Sequence, residues 1–212
     1  MAITKSNANG QIVLSNADYM IVTPYKSDSE LGTESFDIVD IVADSLSFTP
    51  DDNTVNTKEW EFGDSPLVEN ITLGKIQFAA TCVNFNNDIM KELFGWTEKT
   101  EGMYAPTGYK DLFVTLEVGF KNEGVAVVVP KLKLNSKAVI STLKTGTGEC
   151  QLAGTAYEAN LNGINTPMAL ISRGVADENG KLAEATYTVT IGSKVTTFKT
   201  GNDAANGVQS AT

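Results

Sequence analysis

Apolar and polar side chains alternate with a period of two along most of this chain, and short turn signals cut the runs apart. Successive strand residues point to opposite faces, so such a run buries one face of a sheet and leaves the other wet. The pattern predicts an antiparallel β domain with little helix. Leu112, Val114, Leu116 and Val118 alternate with Phe113, Thr115 and Glu117. The turn Lys121-Asn122-Glu123-Gly124 then leads into Val125 to Leu134, a hairpin with glycine at its left-handed position. A second hairpin joins Tyr187 to Ile191 with Val195 to Phe198 across Gly192-Ser193, which suits a two-residue primed turn. Between Phe36 and Phe48, Asp40 and Asp44 share alternate positions with Ile38, Val42 and Leu46, and one long strand is expected there.

One helix is predicted. Asn86 or Asn87 caps the run Asp88 to Phe94, Asp88 complements the helix N-terminus, and Gly95 offers a left-handed stop. A helix of about two turns is not stable alone, so its apolar face, Ile89, Met90, Leu93 and Phe94, has to pack on a sheet, plugging one end of a sandwich. Residues 50 to 70 read differently. Pro50-Asp51-Asp52-Asn53-Thr54-Val55-Asn56-Thr57 is polar and turn-rich, Lys58-Glu59-Trp60-Glu61-Phe62 alternates as a strand, and Gly63-Asp64-Ser65-Pro66 breaks it. A connection this long is uncommon unless it has a function, and Trp60 and Phe62 on one face have to meet either a core or another molecule. Met1 to Gly10 and Thr200 to Thr212 are rich in small polar residues and have little to bury. The expected organisation is an arm at 1–10, a β-sandwich domain at 11–200 and a tail at 201–212, both ends being ordered by a partner.

Composition narrows the chemistry. The 212 residues contain no histidine, which excludes Ser-His-Asp and Cys-His catalysis and His-ligated zinc. Arg173 is the only arginine, so the bidentate contacts that read DNA sequence are missing. A chain of this length buries about 70% of its unfolded surface and needs no disulfide or metal to fold. Cys82 and Cys150 lie in apolar alternating runs and read as buried thiols in preference to the alternative, a disulfide. No run approaches a membrane span, and the N-terminus has no signal-peptide stretch, so a protein made in the cytoplasm is expected.

The net charge of -10 is concentrated. Twelve carboxylates between Asp28 and Glu69 face Lys58 alone, a net of -11, whereas five lysines between Lys121 and Lys144 face only Glu123, a net of +4. Such a map suits self-complementary association, and equally a solvated acidic surface. Gly146-Thr147-Gly148 continues to no dinucleotide fingerprint, Asp51-Asp52-Asn53 lacks the glycine and glutamate of a calcium loop, and Glu59 with Glu61 lacks the cleft of a glycosidase pair. No set of residues supplies nucleophile, base and oxyanion donor together, so no enzyme, cofactor or metal is expected.

The order of elements resembles a family. Leu46-Ser47-Phe48-Thr49-Pro50-Asp51-Asp52 ends a strand, a long polar loop reaches Trp60-Glu61-Phe62, and a strand is expected at 71 to 82. A short helix ending Leu93-Phe94-Gly95-Trp96, then Gly102-Met103-Tyr104 and a strand at 111 to 118 complete it. Across residues 35 to 160 this resembles the major tail tube proteins of long-tailed bacteriophages. The resemblance implies a mainly β fold, a sandwich of two antiparallel sheets with one flanking helix. It also implies homo-hexameric rings stacked into the hollow virion tail, assembled in the host cytoplasm. Genomic DNA would pass through without sequence-specific binding, and tape measure, terminator and baseplate proteins would be partners. On that basis Asp51, Asp52, Asn53, Lys58, Trp60, Phe62 and Asp64 belong to a ring-stacking loop, and Asp40 and Asp44 are candidates for the lumen. Residues 161 to 200, with the second hairpin, extend past the resemblance as an added strand pair or a small outward-facing elaboration. A different reading, a carbohydrate-binding sandwich, would use Trp60, Trp96 and Tyr104 as a stacking platform.

Overall fold

The computed structural model describes residues 17, 19–38, 41–59, 66–72, 74–83, 87–101, 103–106, 112–120, 124–139, 149–172, 185–200 and 209–211. The chain is mainly β, with antiparallel sheets and one short helix. The strands of the largest sheet are β1 (Tyr19–Ser27), β2 (Glu30–Leu31), β3 (Phe36–Asp37), β4 (Ser47–Pro50), β7 (Ile76–Cys82), β10 (Leu112–Phe120), β11 (Val125–Val139), β12 (Glu149–Tyr157) and β15 (Ala169–Ser172). Their order is β2-β1-β10-β11-β12-β7-β4, with β3 beside β1 and β15 beside β11. The second sheet, β14-β13-β16-β17-β18, is built from β13 (Ala159–Leu161), β14 (Ile164–Thr166), β16 (Thr186–Ile191), β17 (Lys194–Lys199) and β18 (Gln209–Ala211). Two hairpins form small sheets of their own: β5 (Thr54–Glu59) with β6 (Pro66–Thr72), and β8 (Trp96–Thr100) with β9 (Met103–Pro106).

Alternation along β10 explains the layers. Leu112, Val114, Leu116, Val118 and Phe120 join Met20, Val22, Phe78, Ala80, Leu132, Leu134 and Leu152 in one core, which the helix α1 (Asn87–Phe94) closes with Ile89, Met90, Leu93 and Phe94. The other face of β10 looks at the second sheet. There Tyr25, Leu31 and Val128 pack with Leu161, Tyr187, Val189, Ile191 and Phe198, and Phe113 lies against them. A strand buried on both faces reads as nearly continuous apolar sequence, which fits Val125 to Val129 in β11.

Two polar devices sit between the layers. Glu117 is 3% exposed, and its Oε1 accepts from Tyr19 Oη at 2.6 Å while Oε2 accepts from Tyr187 Oη at 2.7 Å. Gly119 lies opposite Tyr19, and the tyrosine ring occupies the space a Cβ would need, so glycine lets the ring cross β10 to reach the carboxylate. Further along, Pro130 sits at a bulge where Thr115 alone opposes Pro130 and Lys131. The Pro130 carbonyl accepts from Tyr25 Oη at 2.8 Å and Thr115 Oγ1 at 2.9 Å. Burial pushes the Tyr25 phenol well above its ordinary range, against the Thr115 hydrogen bond that lowers it.

Several expectations change. Residues 36 to 48 are not one strand: β3 ends at Asp37, Ile41 makes an isolated bridge to Cys82, and a turn at Ala43 and Asp44 precedes β4. The left-handed turn at Asp44 outweighs the alternation. The strand expected at 71 to 82 is two, broken at Gly74 and Lys75. Residues 161 to 200 hold the expected hairpin, β16 with β17, and with it most of the second sheet. At the C-terminal end, β18 pairs with Thr196 and Thr197 of its own chain, so three residues of the tail find their partner in cis.

The helix matches its expected range, and Gly95 (φ 66°), Gly124 (φ 61°) and Gly192 (φ 61°) all take left-handed conformations. Another primed turn joins β13 to β14, with Asn162 at φ 52° and Gly163 at φ 84°. A Cβ at Gly163 meets nothing within 4 Å, so the cost of Gly163→Ala is purely conformational. The variant should lose about 1 to 2 kcal/mol in urea unfolding with an unchanged m-value.

Candidate assembly surface

The second sheet covers only part of the large one. Beyond Pro130, the strands β11, β12, β7 and β4 turn one face to the core and the other to solvent. Register sets Thr49, Gln77, Thr155 and Lys133 in one row. Ser47, Ala79, Ala153 and Asn135 form the next, and Thr81, Gln151 and Lys137 the third. Phe48, Phe78, Leu152 and Leu134 alternate with them on the core side. The outer face is therefore built of hydroxyl, amide and methyl groups with a column of lysines along β11. Of these, Ser47, Thr49, Ala79, Asn135, Gln151 and Ala153 are exposed.

Lys131, on the same side of β11, is drawn aside: its Nζ lies 4.5 Å from the Phe113 ring centroid and 6.0 Å from that of Tyr25. Lys75 Nζ lies 5.0 Å from the Tyr157 ring centroid. Desolvated ammonium over an aromatic face is favourable by about 0.5 to 2 kcal/mol.

This four-stranded face is bounded by two open ladders among the described residues. β4 pairs with β7 on one side only. The described part of β10 ends at the Leu112–Leu134 pair, and Asn135 to Val139 have described ladder partners on the β12 side only. The two edges are similar in length. Exposed edges invite pairing with another chain unless they are covered or charged.

Between β4 and β7 the chain runs out into the β5–β6 hairpin, which pairs with no other described strand. Its base is tightly made. Asp51 N donates to Lys75 O at 2.8 Å, Gly74 N donates to Asn53 Oδ1 at 2.9 Å, and Gln77 Nε2 donates to Asp51 Oδ2 at 2.7 Å. Thr155 Oγ1 in turn donates to Gln77 Oε1 at 2.8 Å, which ties the base to the sheet face. Gly74 is required there: a Cβ would fall 1.8 Å from the Asp51 carbonyl oxygen.

The sequence matches no known family model and no curated protein.

The residues singled out by sequence are thereby placed. Asp51 and Asn53 hold the neck of the hairpin, Asp52 is exposed beside them, and Lys58 stands in β5 opposite Val68. What was expected as a polar loop is thus a laddered arm. Trp60, Phe62 and Asp64 lie outside the described residues, as does Asp40. Asp44 is exposed in a turn at φ 61°, off any strand, so the continuous strand that would have put it in a row with Asp40 does not exist. Trp96 is half-buried against the helix core, and Tyr104 pairs with Glu98 in the β8–β9 ladder.

Sequence reasoning missed Gly74, Gln77 and the rows around them; the glycine inside the expected strand was the available signal. The acidic segment is also partly neutralised within the chain, because Lys194 Nζ lies 2.8 Å from Glu30 Oε1. The Lys194 hydrogen bond and charge hold the Glu30 carboxyl below the usual carboxylate range. Among the described residues no group of His, Cys, Asp and Glu is placed to hold a metal, and no helix is long and apolar enough to cross a membrane.

Proposed function

We propose that this chain is a structural subunit that adds head to tail into closed rings, and that the rings stack into a hollow tube of the phage-tail type. One observation carries the reading: the uncovered face has four alternating strands, with an open ladder on each outer edge among the described residues. In a set of four antiparallel strands, the first and last run in opposite directions. Copies repeated in one orientation therefore meet antiparallel, β4 of one against Asn135 to Val139 of the next. Such a heterologous contact closes into a ring when the rotation allows, and closure removes both exposed edges.

The face that lines the ring would carry few charges apart from the lysine column. Asp40 lies outside the described residues; the three rows of this face carry Ser, Thr, Ala, Asn and Gln and no acidic residue, and the lysines of β11 are the groups that would attract the phosphates of a passing duplex. With a single arginine in the chain, sequence-specific contacts to DNA are not part of this function. The hairpin projects from the ends of two of these strands and is the natural element to reach the next ring. Tail partners such as a tape measure, terminator or baseplate protein would meet the tube at its bore and ends.

Negative-stain images and sedimentation of the purified chain, concentrated and with a tail initiation complex added, test the proposal. Rings or tubes are expected, six subunits to a ring. A single monomeric species under all of these conditions would overturn it.

A further inference from the structure

Cys82 and Cys150 stand directly opposite each other on β7 and β12. Opposed residues of an antiparallel pair have Cα atoms about 4.5 to 5.5 Å apart, inside the range of about 4.4 to 6.8 Å that a disulfide spans. Both lie at the same end of their ladder: Cys82 is the last residue of β7, and Cys150 the second of β12. Cys82 is a thiol at 0% exposure, in the core beside Ala80 and Ile38. Sixty-seven residues separate the two in sequence, yet no other register would set them across from one another. Strand ends open more readily than strand centres, which gives a reagent access that the burial of Cys82 would otherwise deny.

We infer that Cys82 and Cys150 are a redox-active cross-strand pair that closes to an intramolecular disulfide on meeting a low-molecular-weight disulfide. The exchange balances in two displacements. The thiolate of one cysteine attacks the small disulfide, forms a mixed disulfide and releases one small thiolate. The thiolate of the other then attacks the protein-bound sulfur, forms the Cys82–Cys150 bond and releases the second. The protein loses two protons and two electrons, and the small disulfide is reduced to two thiols. The bond would staple the two central strands of the uncovered face at the end farthest from the hairpin, locking a subunit made under reducing conditions once it meets oxidising ones.

The full chain, folded and reduced, is incubated with oxidised glutathione, quenched in acid, unfolded, alkylated with iodoacetamide and weighed. The expected product takes up no alkyl group, weighs about 2 Da less than the reduced chain, and yields a proteolytic fragment pair joined through Cys82 and Cys150. Alkylation of both cysteines would overturn the inference, as would glutathione adducts that persist without the linked pair, or a disulfide joining two copies. Closure seen only when the oxidant is added in denaturant would overturn it too. None of these outcomes depends on ring formation, so the result stands apart from that of the assembly experiment.

Discussion

Replacing Glu117 by alanine is expected to remove about 3 to 5 kcal/mol of stability, enough to leave a domain of this size largely unfolded at moderate temperature. The carboxylate accepts from two phenols that come from different layers, Tyr19 on β1 and Tyr187 on β16. Tyr19 and Tyr187 are 3% and 2% exposed, so neither hydroxyl finds water when the carboxylate goes. Each buried hydrogen bond lost with the carboxylate costs about 1 to 3 kcal/mol, and the cavity adds to it. Tyr187→Phe and Tyr19→Phe each remove one donor and leave the acceptor served by the other, so each should cost about 1 to 2 kcal/mol. Together with the double variant they form a cycle whose coupling term reads how far the two phenols act through one carboxylate. Urea unfolding followed by circular dichroism measures all four; an alanine variant within about 0.5 kcal/mol of wild type would show that the site is hydrated or dispensable.

The same pair predicts an alkaline limit. Burial, and then the charge of Glu117, hold the Tyr187 phenol well above its ordinary value of 10.0. Above about pH 10 the unfolded chain releases this proton while the folded chain keeps it, so stability falls as pH rises, by up to about 1.4 kcal/mol per pH unit for each such group. Below that pH both states are protonated and the contribution is constant. Tyr187→Phe, although less stable at neutral pH, should therefore show a shallower alkaline slope than wild type. An identical slope would mean that Tyr187 does not stay protonated in the fold.

Local chemistry accounts for what was legible in the sequence. Glycine at a left-handed position is a strong local requirement, so Gly95, Gly124 and Gly192 marked their turns correctly, and the alternation around Leu112 to Val118 assigned the faces of β10. Asn162-Gly163, an equally strong hairpin signal, was available and would have revealed the second sheet as more than one hairpin. Other features were not local. The bond from Tyr19 to Glu117 spans ninety-eight positions, and only the paired register of β1 and β10 brings the ring over Gly119. Around Asp40 and Asp44 the period-two pattern misled, because alternation records which side chains can share a face, not whether the backbone stays extended. For the candidate surface, sequence located the segment through its polarity and length; that it is a laddered arm on a hydrogen-bonded neck depends on Gly74 and Gln77, whose partners Asn53, Asp51 and Thr155 lie 21, 26 and 78 positions away in sequence.

Deleting residues 55 to 71 and joining Thr54 to Thr72 through an Asn-Gly turn should leave a folded subunit that still closes into rings and no longer forms tubes. Folding should survive because the neck survives: Asp51, Asn53, Gly74, Lys75 and Gln77 keep their hydrogen bonds, and β5 and β6 are laddered to no other described strand. Removing a self-paired arm takes away no described ladder from the large sheet, so the unfolding free energy should change by less than about 1 kcal/mol. Ring closure should survive because β4 and Asn135 to Val139, the edges that join, lie outside the deletion. Stacking has no such substitute. An arm that leaves the ring from the ends of two wall strands is the element placed to cross to the next ring, and its loss leaves rings with complete edges and nothing to bridge them. Circular dichroism, sedimentation and negative stain separate the outcomes. An unfolded deletion variant would make the hairpin part of the fold, tubes of ordinary length would exclude it as the stacking element, and monomers in place of rings would move the lateral contact from the sheet edges to the arm.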